Sequence, residues 1–306
     1  MSTNSSPSKV TALPAQSSPF SSRRGFSHLN NRIFTGVVWL VGLCTIVFIC
    51  SLLFLILQKG LPKLDFGFLV GLPSEIDEGG GVGPVLFNSF YVLFISLLIS
   101  IPLGMAAGIY LAEFAPANKF IAFIRICVEG LASVPSIIFG LFGIALFVEQ
   151  FDVGLTIIGG AVSLAFLNLP VLTRVTEEAI RAVPHEMKQA SFGLGATHLQ
   201  TIRRVIIPVA LNGIVTGICL TAGRAFGESA VIILTAGVSS SGVMWDFNPL
   251  SPGATLAVHL WYVQSEAIVP DAQLIAEKSA AVLVFVVLLI NLVFRVPLWI
   301  NARRMR

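Results

Sequence analysis

The feature that most constrains this chain is a series of long apolar runs almost free of charge. Six stand out, over residues 33–57, 85–111, 126–148, 154–172, 209–236 and 279–300. A helix needs about 20 apolar residues to cross a bilayer, and each run is of that order. Composition points the same way. Of 306 residues, 55% are hydrophobic and only 11% are charged, against about 25% charged in a soluble domain. A water-soluble core of this length would need a far larger polar shell. The expected fold is an all-α integral membrane protein of six transmembrane helices. It forms one domain over 33–306, preceded by a disordered tail over 1–32. That tail is rich in Ser, Pro and Asn and lacks apolar periodicity. It does not read as a secretory signal, because the following apolar run is too long and no small-residue cleavage site ends it.

The net charge of +3 says little; its distribution says more. Six spans put both termini on one side. That side receives Lys9, Arg23, Arg24 and Arg32, then Lys119 and Arg125, then Arg174, Arg181, Lys188, Arg203 and Arg204, and finally Arg295, Arg303, Arg304 and Arg306. The other side has only Lys59, Lys63 and Lys278, with Asp65, Glu75, Asp77, Glu78, Asp246, Glu266, Asp271 and Glu277. The positive-inside rule then places both termini in the cytoplasm. The expected location is the bacterial inner membrane, with multiple passes.

Several function classes lose support. Cys44, Cys50, Cys127 and Cys219 lie in apolar runs without CxxC spacing and read as small hydrophobes. His185, His198 and His259 share no metal-ligand spacing, and His28 lies in the tail. No nucleophile–base pair marks an enzyme, and no aromatic-laced basic patch suggests nucleic acid. The chain has no GxxxxGK[ST] loop to hold ATP, and no strong internal repeat of the secondary-carrier kind.

Two segments carry candidate function. The loop over 174–208 is too ordered to be a plain connector. Residues 177–183 read as a short helix with acidic residues in its first turn. Pro184 stops it and can start the next, over 185–192. Gly193 and Gly195 allow a tight exit. Thr197 can cap a further helix over 199–207, ending at Pro208. The result is a compact knob fit for a cleft on a partner, or an amphipathic loop lying on the bilayer.

The fifth span contains Arg224 and Glu228. Charge inside a span is costly and marks function. At four residues apart the two share a helix face, and Gly213, Gly217, Thr221 and Thr235 fall on the same stripe. The arginine would attract an oxyanion through paired N–H donors, with Glu228 neutralising it when the site is empty. The small residues would admit a neighbouring helix of a second subunit. A structural ion pair is the alternative. In the third span Pro135 and Ser136 mark a kink that could line a cavity or serve packing alone; Pro102 and Pro170 are further candidate kinks. Glu129 is a weaker case of intramembrane charge, and Glu113 sits at a cytoplasmic edge as an interfacial residue.

Gln189-Ala190-Ser191, Gly195, and Val205, Ile207 and Pro208 resemble the EAA loop of ABC importer permeases. Gln189 and Ser191 depart from Glu and Ala, so a salt bridge from a Glu at position 189 is not implied. The segments GGGVGPVLFNSF (79–90), IPLGMAAGIYLAEF (101–114), VPSIIFGLFG (134–143) and AGRAFGESA (222–230) resemble the phosphate-specific importer permeases, the PstA-like half more than the PstC-like half. That resemblance implies a permease importing inorganic phosphate, with Arg224, Glu228, Thr221, Pro135 and Ser136 on the pathway. It also implies an ATPase-coupling surface of Glu186, Gln189, Ala190, Ser191, Gly195 and Pro208. The implied partners are a homologous PstC-like permease, two PstB-like ATPase subunits that bind the ATP, and an extracytoplasmic phosphate-binding protein. The chain itself would be no enzyme and hold no cofactor or metal. Sulfate, molybdate or another oxyanion is the alternative cargo; an ion channel or secondary carrier is the alternative class.

Overall fold

The computed structural model describes residues 24–74, 78–267 and 269–304. The chain divides into two units, 1–54 and 55–306. Helix α1, Arg24–Gly60, supplies the described part of the first unit. Its apolar side chains are exposed along that part, Trp39 at 76%, as suits a helix whose solvent is lipid or another apolar helix. Of the expected tail, residues 1–23 lie outside the described residues. Residues 24–32 are helical rather than disordered, because extending an already nucleated helix costs little per residue.

The second unit follows with α2, Phe66–Val70, capped by Asp65, whose side chain accepts from the Phe68 N–H. Then come α3, Gly83–Ile109, which ends in a wider π-type turn over Tyr110–Phe114, and α4, Lys119–Ser133. Helix α5, Ser136–Gly143, continues as a π-type turn over Ile144–Gln150. Helix α6 is Ile157–Arg181 and α7 is His185–Gly193. Helix α8, His198–Thr201, runs through a π-type turn, Ile202–Ile206, into α9, Ile207–Phe226. Helices α10, Ala230–Thr235, α11, Leu256–Ser265, and α12, Ala272–Arg304, complete the chain.

Among the described residues five helices are long and apolar enough to span a membrane, and the pair α4 and α5, bent by 93°, makes up to six when counted as one span. The all-α, six-span reading therefore holds, with one correction of shape. At Val134 and Pro135 the backbone is extended, with ψ of 133° and 136°. The third span is thus broken rather than kinked. Residues before proline are driven out of the helical region, and here two successive residues leave it. Pro102 and Pro170 lie within continuous helices.

Helix α6 is the centre of the second unit: 67% of its apolar window is buried, against 22% for α12. Small residues let its neighbours approach. A methyl group at Gly104 or Gly108 of α3 would meet Leu172 at 2.8 Å or Thr176 at 2.6 Å. On α9, a methyl at Gly213 would meet Ala179 at 2.8 Å, and one at Gly217 would collide with Val175. The glycine stripe on α9 is therefore covered by α6 of the same chain, which corrects its expected role as an interface to a second subunit.

The N-terminal end of α6 is closed by the connection between α10 and α11. The Thr156 side chain accepts from the Gly159 N–H, while the amides of Ile157 and Ile158 donate to the carbonyls of Ser251 and Pro249, both at 2.9 Å. Donors that a helix start leaves unpaired are thus met by a loop from far along the chain. That loop is tied to α3 in turn, since Leu256 N–H donates to Ser89 Oγ at 2.7 Å.

Candidate coupling and translocation sites

Helix α7 is positioned by local chemistry that the sequence advertises. Pro184 takes φ −53° and ψ 135° as the residue before the helix, and Glu186 lies in the first turn, where the dipole favours an acid. Gly195 has φ +80°, the left-handed region that glycine enters without a Cβ clash. Thr197 Oγ1 then accepts from the Gln200 amide while Gln200 Oε1 accepts from the Thr197 amide, a reciprocal capping box. Two expectations are corrected. Residues 177–181 are the end of α6 rather than a separate helix. Pro208 does not end a helix, because the chain is helical from His198 to Phe226. The π-type turn at Ile202–Ile206 widens the helix just before the proline, relieving the clash its ring would otherwise make.

Helix α7 has no buried residue. Glu186, Gln189 and Ala190 face outward, and next to them Leu194 is 90% exposed and Leu199 69%. Met187 and Phe192 are exposed as well. Apolar side chains exposed on a projecting helix are suited to contact with another protein or with lipid. Near it, Ile180, Val183, Ile202, Ile206, Ala210 and Ile214 form a small core that joins the end of α6 to α9 and the turn before it. Ser191 faces inward, its Oγ 2.9 Å from Thr201 Oγ1.

Around this knob the charges pair within the chain. Glu177, 2% exposed, meets Arg125 Nε at 2.7 Å and Arg181 Nη2 at 2.9 Å, and Arg125 also donates to the Leu111 carbonyl. Glu129, expected as an intramembrane charge, pairs with Arg174 at 2.8 Å. Glu113 is more than interfacial. Its side chain is 8% exposed and paired with Lys188 of α7, while His198 Nε2 lies 3.5 Å away.

The fifth-span pair is arranged otherwise. Helix α9 stops at Phe226, and Gly227, Glu228 and Ser229 form a break before α10. Arg224 and Glu228 therefore do not share a continuous helix face, and no ion pair joins them among the described residues. Arg224 stands in the last turn of α9, where the carbonyl end of the helix favours a cation, and is exposed. Glu228 Oε1 accepts from the Ala230 N–H at 3.2 Å, at the start of α10. Glu228 is thus held by a helix end instead of by Arg224. Thr221 is buried and its hydroxyl donates to the Gly217 carbonyl at 2.9 Å, and Thr235 is buried on α10.

No hydrogen bond joins Pro135 or Ser136 to Arg224 among the described residues. The two helix breaks are nonetheless linked, because α5 packs on α10: a methyl at Gly140 would meet Leu234 at 2.8 Å and the Ala230 carbonyl at 3.2 Å. At the opposite end of the second unit, Lys63 pairs with Glu277 at 2.6 Å and Lys278 with Asp65 at 3.2 Å. The hydrogen bond from Lys278 holds the Asp65 carboxyl below its ordinary range. His259 on α11 is 8% exposed, its Nε2 has no partner, and burial pushes its pKa down to about 4.

A bundle built on broken spans, with a helical knob between the fourth and fifth, defines a permease of the ABC importer class. The profile of the family described as binding-protein-dependent transport system inner membrane component matches residues 100–306, and the chain belongs to that family. It is a multi-pass inner-membrane transporter subunit. It is 43% identical over 277 residues to the probable ABC transporter permease protein YqgI of Bacillus subtilis (strain 168), covering 87% of this chain and 94% of that one. It is 30% identical to the phosphate transport system permease protein PstA of Haemophilus influenzae, over 87% of this chain and 93% of the relative. Among solved structures, an importer of the acidic polysaccharide alginate aligns with TM-score 0.57 at 14% identity, over 88% of this chain and 98% of that one. The MetNI methionine transporter aligns with TM-score 0.51 at 23% identity, over 70% and 91%. These two share the fold.

Proposed function

We propose that this permease passes inorganic phosphate into the cytoplasm, driven by a separate ATPase that docks on α7. The observation that carries the cargo assignment is Arg224, an exposed guanidinium at a break in the fifth span with no ion-pair partner among the described residues. A charge so placed needs a partner from outside the chain or an aqueous path, and a guanidinium binds an oxyanion through paired donors. Relatives described as phosphate transport permeases, at about this length, support phosphate over other oxyanions. The break also lets Glu228 move independently of Arg224, so an incoming anion does not have to displace a fixed carboxylate. Pro135 and Ser136 belong to the same reading through the α5–α10 contact.

In this reading the basic residues beside α7 lie in the cytoplasm, as do both termini. Glu186, Gln189, Ala190 and the Gly195 turn present the knob, Ser191 and Pro208 shape its base, and a PstB-like ATPase pair receives it. A PstC-like permease completes the pore, and an extracytoplasmic phosphate-binding protein delivers the cargo. Another oxyanion, sulfate or molybdate, is the second reading, favoured by the same Arg224, which does not discriminate among them. The test is radiolabelled phosphate uptake into proteoliposomes holding this chain with its candidate partners. ATP-dependent uptake that sulfate does not inhibit supports the assignment. Uptake of sulfate in preference replaces the cargo, and flux without ATP overturns the coupled mechanism.

A further inference from the structure

Helix α7 is set off from its neighbours by two departures from helical backbone, an extended Pro184 and a left-handed Gly195. It buries no residue, so it owes its position to a few side-chain contacts. Ser191 reaches Thr201 on α8. Lys188 instead reaches Glu113, 75 residues away, in the π-type turn that ends α3. Both side chains are largely withdrawn from solvent, Lys188 at 16% exposed and Glu113 at 8%. Aromatic rings wall the contact: His198 lies 5.0 Å from Phe114 and 6.1 Å from Phe192, centroid to centroid.

We infer that the Glu113–Lys188 pair is a clasp through which displacement of α7 is passed to α3, making both side chains positioning residues for coupling. The inference rests on α7 being the ATPase-docking helix. Its physical basis is the cost of separating the pair. Removing one partner from a sheltered ion pair leaves an uncompensated charge, so α7 cannot be pulled away without drawing Glu113 with it. Glu113 in turn is continuous with α3, which packs along α6 through Gly104 and Gly108 and starts at Gly83 on the opposite end of the unit. A pull on Lys188 is therefore delivered to a rod that reaches across the whole span. The other charges nearby are joined differently: Arg125 of α4 meets Glu177 of α6 and the Leu111 carbonyl in the turn that ends α3, Arg181 pairs with Glu177 within α6, and among the described residues no ion pair joins any of them to α7.

The test uses the assembled transporter in proteoliposomes, with ATP hydrolysis and phosphate uptake measured on the same sample. Glu113→Gln and Lys188→Met should each leave the ATPase bound and hydrolysing, while phosphate taken up per ATP falls about tenfold, the scale of a typical coupling free energy. The double exchange Glu113→Lys with Lys188→Glu should restore most of that ratio. A contact that merely stabilised the fold would lower the amount of assembled complex and leave the ratio unchanged, and that outcome overturns the inference. So does an exchanged pair that couples no better than the single variants. Lys188→Met retains the aliphatic stem on an exposed helix, so it decides the matter if Glu113→Gln does not assemble. If the unmodified chain binds no ATPase, the docking reading fails first, and the clasp falls with it.

Discussion

The α7 end of the bundle and the α9–α10 break handle charge in opposite ways. Around α7, Glu113, Glu129 and Glu177 each meet a basic side chain from another helix. At the break, Arg224 meets none among the described residues, and Glu228 is satisfied by a backbone amide. The first arrangement locks helices together; the second keeps a cation available. A transporter needs both, a rigid linkage where force enters and an open charge where an anion passes. The difference also says which substitutions should damage folding and which should damage transport alone.

Arg224→Ala breaks the comparison most sharply. Truncating a charged group that binds an opposite charge costs about 2–5 kcal/mol, so uptake should fall by about 30-fold or more while the assembled complex survives. Normal uptake by that variant would remove Arg224 from the pathway. Glu177→Ala should do the reverse. It strands Arg125 in a sheltered site and takes a partner from the half-exposed Arg181, and should cost about 3 kcal/mol of stability, read as a lower melting temperature in detergent, with the surviving protein still coupled.

His259 sharpens the contrast through pH. Its folded pKa, about 4, lies below the ordinary 6.5. The unfolded chain therefore binds the extra proton first as pH falls. Stability should be flat above about pH 7 and decline between pH 6.5 and 4, by up to about 3 kcal/mol. His259→Gln should flatten that part of the melting profile. The smallest effect is expected at Thr197→Ala, which removes half of the capping box and should cost about 1 kcal/mol, seen as faster amide exchange in α8.

The two regions also differ in how far the amino-acid sequence reveals them. Pro184, Gly195 and Thr197 act within a few residues, so the short helix over 185–192 and the cap at Thr197 are legible from the sequence alone. The fifth-span break is not. The stretch AGRAFGESAVIIL has no proline, and its two glycines each cost a helix only about 1 kcal/mol, so apolar periodicity runs through it. Beyond the break α10 packs on α5 at Gly140, a contact between distant segments that local sequence does not announce. Pro208 misleads in the other direction, because a π-type turn absorbs its ring. Glu113 stands at the end of an apolar run with nothing local to mark it, since its partner is 75 residues away. The six spans themselves are plain from hydropathy, apart from the 93° bend in the third.

The most direct test of the division between a coupling end and an open translocation charge is the accessibility of Leu194 in the working complex. It is 90% exposed in the chain alone. With the native cysteines replaced by serine, Leu194→Cys should react readily with a water-soluble maleimide in the isolated subunit. It should be protected once the ATPase is bound and hydrolysing. If the cysteine stays equally reactive in a complex that hydrolyses ATP and takes up phosphate, α7 is not the docking surface and the account of coupling is wrong.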